Sequence, residues 1–315
     1  MDGKKIVVAG GGVLGTQIAF QVAYCGFDVT VWLRSEGSIG RTQPKLDAVY
    51  NTYLKTIEMM DTPEGKSPFV WARGIADVET FDKGICLEKA KKAYESIKIE
   101  LDMAKAVQDA DLVIESMAEI KDDKIAFYQS LAPLIPEKTI LVTNSSSMLP
   151  STFTEYTGRP EKYLALHFAN EIWRHNTAEV MLQEKTDLKY FNEVIEFAKQ
   201  IRMVPLPIKK EKAGYLLNSL LIPFLDAAMD LYATGVSEPE VIDMAWKLGT
   251  GAPAGPFQIL DIVGLTTAVN ISSAKAAHPE MVEKIHYEEI VKLLKEYIDE
   301  GKLGRSAGEG FYKYK

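Results

Sequence analysis

The sequence predicts an α/β protein in which a parallel-sheet N-terminal domain gives way to an all-α C-terminal domain. Three observations carry this reading. Short β-branched runs alternate with helical stretches up to about residue 209, a glycine turn joins the first strand to the first helix, and strand patterns vanish from Lys210 onward. Parallel strands need a crossover of a dozen or more residues, normally a helix, so this alternation is the mark of βαβ units. A chain of 315 residues is long enough for two domains. The expected division is 1–209 and 210–315.

Lys5–Ala9 (KIVVA) is the first strand and ends in glycines. Leu14–Cys25 is an apolar helix closed by Gly26, and Asp28–Leu33 (DVTVWL) is the second strand. Between Arg41 and Asp102 the alternation breaks. Ala48–Met60 and Ile85–Ile97 have helical spacing and are joined by a Pro/Gly-bearing stretch, 62–74. This segment is read as a helical hairpin insertion projecting from the sheet. The pattern resumes with Ala110–Ser116, a helix over Lys121–Leu134, then strands at Thr139–Thr143, Lys162–His167, Glu179–Leu182 and Met203–Ile208. Gly214–Thr234, Glu238–Lys247, Gly255–Ser273 and Tyr287–Glu300 all read helically, punctuated by Gly235, Gly249–Gly251 and Gly301.

Composition excludes several classes. Hydrophobic residues at 47% and charged residues at 25% are ordinary for a globular protein, which rules out disorder and fibrous repeats. A net charge of −8 argues against nonspecific attraction to nucleic acid or anionic membrane. Two cysteines and four scattered histidines make neither a disulfide framework nor a zinc site. The apolar run Gly214–Met229 contains Asn218, Ser219, Pro223 and Asp226, so it is not read as a membrane span. Reduced thiols and an N-terminus without signal-peptide features give a cytoplasmic expectation.

Gly10, Gly12 and Gly15 form G-x-G-x-x-G at the strand-to-helix junction, with Leu14 in the same turn. The first glycine permits the tight turn, the second lets backbone approach a pyrophosphate, and the third lets helix and strand pack closely. The domain is therefore expected to be Rossmann-type and to bind NAD(P). One usual part is missing. An acid at the end of the second strand normally accepts bonds from the adenosine ribose, but here Leu33 is followed by Arg34 and Ser35. A fixed-charge guanidinium and a small hydroxyl suit a phosphate, so NADP(H) is favoured over NAD(H). In an NAD enzyme the same Arg34 would stack on adenine or point to solvent.

Polar residues also gather at later strand ends, where open parallel sheets hold their ligands. Glu115 and Glu119 follow one strand, with Lys124 on the next helix. Asn144-Ser145-Ser146-Ser147 follows another, His167-Phe168-Ala169-Asn170 a third, and Glu179 lies twelve residues after His167. Oxidising an alcohol requires a base for the hydroxyl proton while hydride leaves carbon, and an imidazole oriented by a carboxylate suits the task. Each residue also has a structural reading: a strand-end histidine, an edge glutamate, a serine-rich helix cap.

Together these segments resemble the L-3-hydroxyacyl-CoA dehydrogenase family, and the resemblance spans nearly the whole chain. It rests on GGGVLG at Gly10–Gly15, DLVIE at Asp111–Glu115 with Glu119 and Lys124, Asn144–Ser147, HFAN at His167–Asn170 and Glu179. The second domain adds Gly214–Asn218, Lys247–Gly264 and Gly308–Tyr314. The resemblance implies His167 as general base and Glu179 as its orienting carboxylate. It implies Ser146 and Asn218 at the substrate hydroxyl or thioester, and Glu119, Lys124, Ser146 and Asn170 at the nicotinamide half of the cofactor. It further implies a short-chain acyl-CoA substrate such as 3-hydroxybutyryl-CoA and a homodimer formed through the helical domain. Lys45, Lys55 and Lys66 of the 41–102 segment then fit either CoA phosphates or a solvated helix face.

The chain also departs from the family pattern. Glu171 and Ile172–Thr177 (IWRHNT) replace a proline and an apolar run, Ser219 stands where arginine is usual, and Arg305-Ser306 replaces a lysine pair. These differences keep a sugar acid or other free hydroxy acid open as an alternative substrate. A non-enzymatic, crystallin-like protein is a weaker alternative, because His167, Glu179, Ser146 and Asn218 are all intact.

Overall fold

A computed structural model describes residues 4–68, 70–277 and 285–314. The chain divides into two compact units at Leu216/Leu217. The expected boundary lay at 209/210. The difference has a physical cause: Tyr215 is buried and its hydroxyl donates to the Ser145 carbonyl at 2.6 Å, tying the segment after the last strand to the first unit.

The first unit is built on an eight-stranded sheet. Its strands are β1 (Lys5–Ala9), β2 (Asp28–Trp32), β3 (Lys98–Glu100), β4 (Leu112–Glu115), β5 (Ile140–Thr143), β6 (Tyr163–Phe168), β7 (Thr177–Met181) and β8 (Val204–Ile208). They lie in the order β3-β2-β1-β4-β5-β6-β7-β8. All neighbours are parallel except β6 and β7. Chain direction along the sheet reverses between β1 and β4, and the carboxyl ends of those strands open the crevice where such sheets bind ligands. β1 and β4 are buried on both faces, as parallel strands covered by helices must be.

Helix α1 (Val13–Tyr24) follows β1 directly. Next come α2 (Glu36–Met60) and α3 (Lys83–Ser96), then α4 (Met103–Val107), α5 (Lys121–Leu131) and α6 (Leu188–Gln200). The hairpin expected over 41–102 is present, but it does not project from the sheet. Tyr53 on α2 is fully buried, its ring 4.5 Å from Phe20 and 5.5 Å from Tyr24, both on α1, and it bonds to Gln21. Cys86, Ala90 and Ala93 on α3 are buried in the same core. The pair is thus a layer packed on α1. α2 also begins twelve residues earlier than its apolar spacing suggested and runs through Pro44.

Among its described residues the second unit has helices but no strand, apart from isolated antiparallel bridges at Gly304–Glu309 and Glu309–Lys313. It contains α7 (Leu217–Ala233), α8 (Pro239–Thr250), α9 (Pro256–Val263), α10 (Leu265–Ala276) and α11 (Tyr287–Asp299). Phe257, Leu260, Ile290, Leu294 and Phe311 form the centre of its core. No single helix among the described residues is long and apolar enough to cross a membrane.

Candidate active site

The glycine turn has the geometry its spacing demands. Gly10 has φ +125°, and a Cβ there would lie 2.3 Å from the Ser116 carbonyl oxygen. A Cβ on Gly15 would sit 2.3 Å from the Gly10 carbonyl oxygen, whereas one on Gly12 would meet nothing within 4 Å. Gly12 is therefore the glycine that leaves room for a ligand. The first turn of α1 carries no side-chain cap, so its outward N–H groups are available to anionic oxygens. The turn floors a cleft of about 490 Å³ that also reaches Leu14, Leu33, Arg34, Glu119, Ser146 and His167. An extended dinucleotide fits this combination of open glycine face, uncapped helix and polar far end.

At the adenosine end, Leu33 is buried and packs toward Gly11. Arg34 lies on the rim with its guanidinium 3.2 Å from Asp123. Ser35 does not line the cleft but shares a hydrogen bond with Ser38, 3.1 Å away, which does. Lys45 also lines the cleft, its ammonium 3.5 Å from the Gly11 carbonyl oxygen, so it belongs to the dinucleotide crevice rather than to a solvated helix face. Lys55 and Lys66 are exposed.

The wall beneath the cleft is a buried polar network. Glu115, at the end of β4, is wholly buried. Its Oε1 accepts from Lys124 Nζ at 2.5 Å and from the Met117 N–H at 2.8 Å, and its Oε2 accepts from the Tyr128 and Thr143 hydroxyls at 3.0 and 2.7 Å. Burial first, then the Glu115 charge, holds the Tyr128 phenol far above its ordinary range, which keeps it a donor. Lys124 has no exposure at all and is not among the residues that line the cleft. Its ammonium stands 3.8 Å from Glu119, whose other oxygen accepts from Ser145 and Ser147 at 2.7 and 2.8 Å. Lys124 therefore acts through Glu119, which does line the cleft. Nothing in the spacing of Glu115 marked it as the hub; only the convergence of β4, β5 and α5 does.

His167 and Glu179 face each other across the one antiparallel strand pair, in direct register. His167 Nδ1 and Glu179 Oε2 are 2.9 Å apart, and the other carboxylate oxygen accepts from the Leu216 N–H at 2.8 Å. The twelve-residue separation is thus a hairpin register. Tyr215, whose role the sequence did not signal, stacks on the imidazole with ring centroids 4.5 Å apart. Its backbone has φ +53°, a left-handed conformation held by the buried ring and its bond to Ser145. Burial and the neighbouring Glu179 charge push its phenol upward, so it remains protonated. Ser146 is exposed and lines the same cleft as His167. Asn144 also lines the cleft, and its Oδ1 accepts from the Phe168 N–H at 3.0 Å, bracing β6 against β5.

Asn170 is exposed and outside the cleft lining, its carbonyl 3.0 Å from His175 Nδ1. Asn218 is the second residue of α7, in the helical unit, and is half-buried.

Two family models match this chain: the NAD binding domain of 3-hydroxyacyl-CoA dehydrogenase over residues 5–211, and its C-terminal domain over 214–314. The chain belongs to the 3-hydroxyacyl-CoA dehydrogenase family. It is accordingly an NAD-linked oxidoreductase of that type, and its first unit is an NAD-binding domain. The mitochondrial hydroxyacyl-coenzyme A dehydrogenase of Homo sapiens is 30% identical over 99% of this chain and 91% of its own. The 3-hydroxybutyryl-CoA dehydrogenase of Clostridioides difficile is also 30% identical, over 98% of this chain and 99% of its own. A solved structure of a diketoreductase, described as performing substrate-directed dual catalysis of dicarbonyl compounds, is 47% identical, covers both chains completely and has a TM-score of 0.81.

Proposed function

We propose that this enzyme interconverts a 3-hydroxyacyl group and its 3-oxo counterpart, with short-chain L-3-hydroxyacyl-CoA, such as 3-hydroxybutyryl-CoA, as substrate. The single observation that carries the chemistry is the His167–Glu179 pair, bonded at 2.9 Å at one end of a dinucleotide cleft. With Nδ1–H donated to Glu179, the Nε2 lone pair is the base. It takes the hydroxyl proton in oxidation and, once protonated, returns it to the forming alkoxide in reduction. Glu179 stabilises the imidazolium, and the Leu216 N–H holds that carboxylate in place. Bound in the cleft, the nicotinamide supplies the hydride acceptor for oxidation or the donor for reduction. Ser146, exposed in the cleft, hydrogen-bonds the substrate oxygen beside His167.

NADPH is preferred over NADH. Support comes from Leu33, which offers no carboxylate to accept ribose bonds or repel a 2′-phosphate, and from the basic side chains on that rim. A homodimer through the helical unit is supported by large apolar side chains exposed on α7 and α8, among them Leu220 (74%) and Leu248 (80%).

A second substrate reading is favoured by a specific observation. The relative at 47% identity acts on dicarbonyl compounds, and the 41–102 hairpin packs on α1 instead of extending outward. In this reading the substrate is a free dicarbonyl compound or hydroxy acid without CoA. One panel separates the two: kcat/KM for acetoacetyl-CoA against a free dicarbonyl ester and free 3-hydroxy acids, with both cofactors. Preference for acetoacetyl-CoA by tenfold or more supports the first reading. The reverse ratio supports the second, and no turnover with any of them overturns both.

A further inference from the structure

We propose that Ser38 and Arg41, in the first turns of α2, form the subsite for the 2′-phosphate of NADP(H), and that Arg34 does not. This rests on the reading that the cleft binds a nicotinamide dinucleotide.

By sequence, Arg34 is the obvious phosphate ligand, because it follows the position where NAD enzymes carry an acid. Its guanidinium, however, lies 3.2 Å from the Asp123 carboxylate and its charge is already matched. Arg41 differs. Its Nη2 donates to Ser38 Oγ at 3.0 Å, and no carboxylate among the described residues pairs with it. Both side chains line the cleft on the same face of α2, as residues three apart must. Ser38 is in turn held by Ser35, 3.1 Å away, so the hydroxyl pair fixes where the arginine fork rests.

The charge balance of the cleft points the same way. Only two acids line it: Asp123, matched by Arg34, and Glu119, held by Ser145 and Ser147. A phosphate monoester carries about −1.5 to −2 charges at neutral pH and three acceptor oxygens. An arginine with most of its five donors uncommitted, beside a serine hydroxyl, matches that group in both charge and geometry. The plain ribose of NAD would leave the Arg41 fork without an anion.

The test is the dissociation constant of NADPH and of NADH, measured by titration calorimetry at one ionic strength, for the wild type, Arg41→Ala, Arg41→Lys, Ser38→Ala and Arg34→Ala. The readout is the ratio of the two constants. Loss of a charge-assisted phosphate bond is worth about 10- to 100-fold, so Arg41→Ala is expected to move the ratio toward NADH by that factor. Ser38→Ala moves it less, Arg41→Lys regains part of it, and Arg34→Ala moves it less than about threefold. A ratio indifferent to Arg41→Ala, or moved as far by Arg34→Ala, overturns the subsite. A wild type that binds NADH tightly and NADPH poorly overturns it too, while leaving the dehydrogenase reading intact. Binding of neither dinucleotide overturns both. Circular dichroism of each variant controls for folding.

Discussion

The two units use buried carboxylates in different ways. In the sheet unit, Glu115 and Glu179 accept from side chains that line or support the cleft: Lys124 behind Glu119 in one case, His167 in the other. In the helical unit, Asp226 likewise accepts from side chains, those of Lys275 and Tyr287, but Asp243 and Asp261 accept mainly from backbone. Asp243 takes the Phe257 and Gln258 N–H groups at the start of α9, and Asp261 takes those of Phe311 and Tyr312 in the C-terminal segment. The first arrangement fixes the direction of a proton-carrying or charge-bearing group. The second fixes the path of the chain. The surfaces differ accordingly, since the sheet unit carries a polar cleft and the helical unit an apolar groove lined by Phe224, Leu231, Val241, Ile242 and Trp246.

This contrast can be broken by substitution, beginning with the largest expected effect. His167→Gln removes the base and should lower kcat by about 10²–10⁴, with little change in thermal stability. Steady-state assays together with calorimetric melting check both halves. Lys124→Met leaves Glu115 buried without its cation, and should cost about 3–5 kcal/mol in stability, read by urea denaturation. If Lys124→Met leaves stability unchanged, the network beneath the cleft is not what holds its wall. Asp261→Ala should destabilise the helical unit by about 2–3 kcal/mol, since three donors lose a charged acceptor. Native-state hydrogen exchange should localise the loss to the C-terminal segment, with dinucleotide affinity of the sheet unit unmoved.

The smallest effect concerns Asp111, at the opposite end of β4 from Glu115. Burial alone would raise its carboxyl, but the Lys138 ammonium at 2.7 Å and the Lys5 N–H at 2.9 Å outweigh it and hold it below the usual range. A depressed folded-state value stabilises the protein above the unfolded value of ~3.9. That contribution fades as pH falls through the folded value. Asp111→Asn should therefore cost about 1 kcal/mol at pH 7 and nothing once the pH has fallen below the folded-state value. A pH-independent difference would mean the side chain acts through shape rather than charge.

Much of this organisation was legible in sequence because it is local. The βαβ start, the glycine turn and the later strands are short-range patterns, and G-x-G-x-x-G at a strand end has little freedom to mean anything else. The pairing of His167 with Glu179 was also readable from the family resemblance, and the hairpin register between β6 and β7 explains its spacing. Other features depend on partners that no periodicity names. β3 is only three residues long, and its place at the sheet edge comes from pairing with β2. The apolar face of Val49, Tyr53 and Ile57 predicts burial without saying that α1 is the surface it meets. The family resemblance puts Lys124 at the cofactor, and only the meeting of β4 and α5 shows it buried on Glu115. Tyr215 was hidden inside a segment whose composition is helical, because its left-handed backbone is imposed by burial against β6 rather than by local preference.

The central claim is hydride transfer to the carbon that bears the oxygen protonated by His167. Reduced cofactor deuterated at C4 of the nicotinamide, incubated with acetoacetyl-CoA and in parallel with a free dicarbonyl ester, tests it directly by proton NMR of the product. The account predicts deuterium at the hydroxyl-bearing carbon, with loss of its methine signal, and no such product from His167→Gln on the same timescale. Turnover with that carbon unlabelled by either deuterated cofactor epimer, or equal labelling by wild type and His167→Gln, would contradict it.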